Sequence, residues 1–133
     1  MKIVFYLNVI SPHQIPLAAN VAQAIGEDDF RYVYLERSHV ERERLGWGEE
    51  SLPRWCIPAA GNVSLLESAD LLYSGIRDID LFERRARKGK KTLYYSERWF
   101  KPVCGISGRV RILVPSYWKM TRRFVKWLNA DPN

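Results

Sequence analysis

Short runs of β-branched and aromatic residues alternate with helix signals along this chain, and that alternation limits the folds open to it. Residues 2–7 are nearly continuous in apolar side chains, as strands covered on both faces are. Residues 30–35, 71–74 and 92–95 repeat the pattern, and residues 53–58 suit a short edge strand because Pro53 and Pro58 forbid a long central one. Between them come helical segments. The first starts near Pro12 or Pro16, carries Leu17, Val21 and Ile25 at helical spacing with Ala18 and Ala22 beside them, and stops at Gly26. A brief helix over 64–69 has Ser64 as its N-cap and Glu67 three residues on, as in a capping box. Asp78 or Asp80 caps the next, whose end at Arg84, Arg85, Arg87 and Lys88 suits the negative pole of a helix dipole, with Gly89 as its stop. A last helix spans about 115–129. Residues 36–50 are dense in charge and give no clear element beyond a helical turn over 39–45.

Strands that alternate with helices predict an α/β fold: a Rossmann-like parallel sheet with right-handed crossovers and helices on both faces, built as a single domain over residues 1–133. Ligands in such sheets bind beyond the carboxyl ends of the strands. The loops over 8–13, 74–80 and 96–102 follow strands and are the candidates.

The charge is uneven. Residues 1–66 carry 6 Lys/Arg against 8 Asp/Glu, and residues 67–133 carry 15 against 7, which together give the formal +6. A basic half implies an anionic partner: nucleic acid, a phosphorylated ligand or an anionic membrane. No apolar run approaches the length of a membrane span, and none has the form of a secretory signal. With only Cys56 and Cys104, the chain is expected in the cytoplasm.

The nucleotide-binding glycine patterns are absent, since the turn over 8–13 has no glycine and no P-loop occurs. His13, His39, Cys56 and Cys104 have no metal-ligand spacing, so no metal site is expected. Ser11-Pro12-His13-Gln14 places polar groups where a helix begins above the first strand. Backbone N–H groups there favour anions, and His13 can hydrogen-bond a ligand or move a proton. Gly75-Ile76-Arg77-Asp78 offers a close backbone approach at Gly75 and a cation at Arg77, against the plainer reading of a capped helix with a solvated arginine. In Ser96-Glu97-Arg98-Trp99, Glu97 can accept from sugar hydroxyls or act as a base, and Arg98 can hold a phosphate in bidentate fashion. The plainer reading is a surface pair.

The last helix has the clearest pattern. Tyr117, Trp118, Met120, Thr121, Phe124, Val125, Trp127 and Leu128 fill one arc, and Lys119, Arg122, Arg123 and Lys126 the opposite one. The expectation is that the apolar arc packs on the sheet and the basic face alone meets the outside. The alternative is a contact with the surface of an anionic membrane, with part of the arc and one or both of Trp118 and Trp127 exposed.

Residues 2–7, Ser11-Pro12-His13-Gln14 and Pro16-Leu17-Ala18-Ala19-Asn20 resemble the opening of GT-B-type glycosyltransferases of bacterial surface-polysaccharide pathways. So do Ser74-Gly75-Ile76-Arg77-Asp78, Phe82-Glu83-Arg84-Arg85-Ala86, Ser96-Glu97-Arg98-Trp99 and Tyr117-Trp118-Lys119-Met120. The resemblance runs over nearly the whole chain but covers no catalytic signature. It implies the N-terminal, acceptor-side half of a two-domain enzyme, with catalytic roles for His13 and Glu97 and acceptor or phosphate contacts at Ser11, Gly75, Arg77 and Arg98. Many relatives carry a histidine where Glu97 stands. The implied ligands are a sugar or lipid-linked acceptor and a nucleotide-sugar held mainly by a second half, so that this chain is expected to be a fragment inactive alone, with no cofactor of its own. Its implied place is the cytoplasm, at the inner face of the membrane. The competing reading is a non-enzymatic α/β module whose basic stretch from Arg77 to Lys126 binds nucleic acid or a protein. Nucleic acid is disfavoured, because Tyr94, Tyr95, Trp99 and Phe100 read as buried and no nucleic-acid motif appears.

Overall fold

The computed structural model describes residues 1–37, 52–95 and 115–130. The readings over 39–45 and 96–108, including Glu97 and Arg98, lie outside them. The chain divides into two compact units, Met1–Tyr95 and Ser96–Asn133.

The first unit is a five-stranded parallel sheet with strands β1 (Ile3–Val9), β2 (Phe30–Glu36), β3 (Cys56–Pro58), β4 (Leu71–Ser74) and β5 (Lys91–Tyr94) in the order β3-β2-β1-β4-β5. Its helices are α1 (Ile15–Ile25), α2 (Val63–Ser68) and α3 (Ile79–Arg87). This is the Rossmann-like α/β arrangement expected, and the proline-limited strand β3 takes an edge. β1 sits in the middle, which is why its apolar run is unbroken: Ile3 through Leu7 are all buried. The strand continues through Val9, which pairs with Glu36 of β2, so Asn8 and Val9 belong to the ladder and not to the loop expected over 8–13.

Helices cover both faces of the sheet. Ala18 and Ala22 of α1 lie against Ile3, Phe5, Leu7, Phe30 and Tyr32. The expected stripe through Leu17 is displaced: Leu17 is exposed, while Ile15, Val21 and Ile25 flank the contact. Aromatic rings fill the space above the sheet, so only the smallest side chains fit at the line of closest approach, and larger ones move to the sides. On the opposite face, Phe82 of α3 lies 5.8 Å from Tyr94, with Leu66, Leu72 and Leu81 buried. Gly26 (φ +93°) and Gly89 (φ +64°) follow α1 and α3 in the left-handed region that glycine enters without strain.

Two capping assignments change. Asn62, not Ser64, stands at the N-cap of α2, with its amide donating to the Pro58 carbonyl at 2.8 Å. Glu67 closes no capping box; it accepts from Arg84 and Lys88, each at 2.7 Å. Asp78 does cap α3, accepting from Leu81 N–H at 2.9 Å.

The second unit contains α4 (Pro115–Ala130). Phe124 and Trp127 are buried, with ring centroids 5.5 Å apart. Trp118 and Val125, expected in the covered arc, are 46% and 43% exposed. Lys119, Arg122 and Lys126 are exposed as expected, and Arg123 is half-buried with a partner.

Candidate functional site

In this strand order the chain turns toward β2 after β1 and toward β5 after β4, so the two crossovers run in opposite directions, the switch point at which ligands bind in sheets of this kind. β1 and β4 are hydrogen-bonded neighbours, and Tyr6, midway along β1, pairs with Ser74, the last residue of β4. The segments Ser11–His13 and Gly75–Arg77 therefore follow strands that end at the same edge of the sheet, with β1 running three residues further than β4. β5 ends at the same edge, where Tyr95 N–H donates to the Ser74 carbonyl at 2.8 Å.

A buried phenol sets the first loop. The Tyr32 hydroxyl lies 2.9 Å from Gln14 Oε1 and 3.1 Å from the Val9 carbonyl. The Ser11 backbone N–H faces the same oxygen. Burial holds this phenol well above its usual range, so it stays protonated and donates. Gln14 is thereby turned inward, and His13 is left at the surface with a partner of its own. The Ser11 carbonyl accepts from Gln14 N–H at 2.9 Å and Ile15 N–H at 3.1 Å. Pro16 has no N–H, so the start of α1 holds fewer donors for an anion than its position suggests. An anion here depends on side chains more than on the helix.

The second loop is set by Ser74, which is fully buried. Its hydroxyl donates to the Ile76 carbonyl at 2.8 Å and accepts from Ile76 N–H at 3.2 Å. Gly75 N–H donates to the Tyr6 carbonyl at 3.0 Å. A Cβ at Gly75 would stand 2.7 Å from Leu7 Cδ2, so a larger residue there has to displace the end of the buried Leu7 side chain, whether or not a ligand approaches. Arg77 is exposed and has a partner. Asp78 ties the loop to α3, and its charge together with burial raises the pKa of the Tyr6 phenol.

Ser11, His13 and Arg77 thus follow the carboxyl ends of two adjacent strands. Sequence reasoning named these residues but missed the two that fix them. By sequence Tyr32 reads as a strand residue, and Ser74 as the junction of a strand with the loop over 74–80, with no role assigned to either hydroxyl. The usable signal was that a buried tyrosine or serine in a parallel strand must place its hydroxyl somewhere. A shallow cavity of about 50 Å³ lies at the other end of the sheet, among Lys2, Val4, Asp28, Asp29, Arg31 and Leu65. It has room for water and not for a sugar. Cys56 is half-buried, and burial pushes its thiol up to about 11, which leaves it a poor nucleophile at neutral pH.

No family model matches the chain, and neither a curated protein nor a solved structure matches it.

Proposed function

We propose that this chain is the acceptor-binding half of a glycosyltransferase that uses a nucleotide-sugar donor in the synthesis of a surface polysaccharide or glycoconjugate. The observation that supports the reading is the pairing of β1 with β4, whose following loops carry Ser11 and His13 on one strand and Gly75 and Arg77 on its neighbour, at the switch point of a parallel sheet. The segments that carry the sequence resemblance supply both of those loops. In this reading Arg77 meets the phosphate of the acceptor or donor. His13 receives the proton of the acceptor hydroxyl. The protein's contribution is position and electrostatics. The chain works in the cytoplasm, the donor is held mainly by a second domain, and no cofactor is needed.

A titration of the chain by amide NMR tests the reading, with a short polyprenyl-phosphate sugar, a free oligosaccharide and a nucleotide-sugar as separate probes. The acceptor probes should shift the amides of residues 11–13 and 75–77. Arg77→Ala and His13→Ala should each weaken binding about tenfold, the worth of one charge-assisted hydrogen bond. Incubation of the chain alone with donor and acceptor should give no product. Silence at residues 11–13 and 75–77 up to millimolar acceptor would sink the proposal.

A further inference from the structure

We propose that α4 is a docking face for an anionic membrane, held by Lys119, Arg122 and Lys126 and by the exposed side chains of Trp118 and Val125. This inference concerns α4 alone and is independent of the acceptor site.

Residues 115–130 contain four basic residues and no acidic one. Lys119, Arg122 and Lys126 recur at intervals of three and four, so they lie along one strip of the helix, and all three are exposed. From Lys119 to Lys126 the strip is about 10 Å long. That is close to the screening length at ordinary ionic strength, so a charged surface meets the three as one patch. Trp118 precedes Lys119, and Val125 precedes Lys126. Both are large apolar side chains left 46% and 43% exposed. The same helix buries Phe124 and Trp127, so exposure of Trp118 and Val125 is not a general failure of α4 to pack.

The mixture selects the partner. A phosphate backbone would reward the cations and leave Trp118 and Val125 in water. A bilayer interface rewards both, because an indole settles at headgroup level and lysine and arginine remain among the phosphates. None of the helices among the described residues is long and apolar enough to cross a membrane, so the contact is peripheral.

Flotation of the full chain with vesicles of phosphatidylcholine containing about one third phosphatidylglycerol is the test, beside pure phosphatidylcholine vesicles and a single-stranded oligonucleotide. Each exposed cation near such a surface contributes about fivefold to partitioning (about 1 kcal/mol), so Lys119→Gln/Arg122→Gln/Lys126→Gln should lose about 100-fold. High salt should weaken the wild type by a comparable factor. Phospholipid brominated in its acyl chains should quench indole fluorescence of the wild type, and Trp118→Phe should lose that quenching while still floating. These surface substitutions should leave the far-ultraviolet circular dichroism unchanged. Equal flotation with neutral vesicles, unchanged flotation of the triple variant, or no quenching would each overturn the proposal. Salt-sensitive capture of the oligonucleotide without flotation would reassign the face to nucleic acid.

Discussion

On the face of the sheet under α1, Phe5 meets Phe30 edge-on at 5.1 Å and Tyr73 at 4.7 Å, and two alanines let the helix close over the rings. On the other face the largest fully buried side chain is Arg85. Its Nη1 donates to the Leu66 carbonyl at 2.6 Å and the Glu67 carbonyl at 3.3 Å, Nη2 to the Lys91 carbonyl at 2.6 Å, and Nε to Thr92 Oγ1 at 3.0 Å. Two of these acceptors are carbonyls in the last turn of α2, which a helix leaves without partners and which carry its negative pole. Burial lowers the Arg85 pKa to about 10, so the guanidinium remains charged at neutral pH. Each face also holds a polar group that fixes its surroundings. Tyr32 rises from the aromatic face to hold the loop of the candidate site, whereas Arg85 fastens α2, α3 and β5 and touches no candidate residue. Apolar shape holds one face, and it needs polar help only at its rim. The other face buries Leu66, Leu72, Leu81 and Phe82 and adds a fixed fork of donors.

The contrast breaks first at Arg85. Arg85→Met should cost about 3 kcal/mol, roughly one for each backbone carbonyl left without a donor, read as a lower denaturant midpoint at unchanged slope. Arg85→Lys should recover only part, because an ammonium cannot reproduce the planar fork. A loss below about 1 kcal/mol for Arg85→Met would mean the two faces do not differ as described.

A smaller effect is expected at Tyr32. Tyr32→Phe keeps the ring and removes the hydroxyl shared by Val9 and Gln14, at a cost of about 1 kcal/mol. Amide exchange should quicken over residues 10–14 and stay unchanged in α3. Equal quickening in α3 would show that the faces are coupled and not separately anchored.

The smallest effect is at Glu67. Hydrogen bonds from Lys88 and Arg84 hold its carboxyl below the ordinary range. A depressed folded pKa contributes stability that is complete above the unfolded pKa and is lost as pH falls through the folded one. Acid should therefore erode stability just below the ordinary carboxylate range, and Glu67→Gln should flatten that part of the profile. Asp70, similarly lowered by Lys90 and the Lys2 N–H, should keep its share in the variant. An unchanged acid limb in Glu67→Gln would remove this pair from the account of the second face.

The sheet was legible in the chain because strands buried on both faces leave a run that no surface position would tolerate, as Ile3 to Leu7 do. The punctuation by Gly26, Asp78 and Gly89 was equally local, since each acts through its own backbone or its own turn. Reading which loops lie at the carboxyl edge needed only the alternation of strands and helices, and so the loops that hold Ser11, His13, Gly75 and Arg77 could be placed there in advance. Tertiary structure alone decided what depends on residues distant in sequence. Arg85 reads as one of four basic residues at a helix end, and nothing nearby distinguishes it from Arg84 and Arg87. It is buried because α3 turns that position toward the end of α2 and the start of β5. Likewise Ala18 outranks Leu17 in α1 only because the rings of Phe5, Phe30 and Tyr32 lie below it, and Tyr32 holds the loop only because β2 pairs with β1 in the register that brings its hydroxyl to Val9. Burial and hydrogen-bond partnership are properties of neighbours, and neighbours across a sheet are fixed by folding.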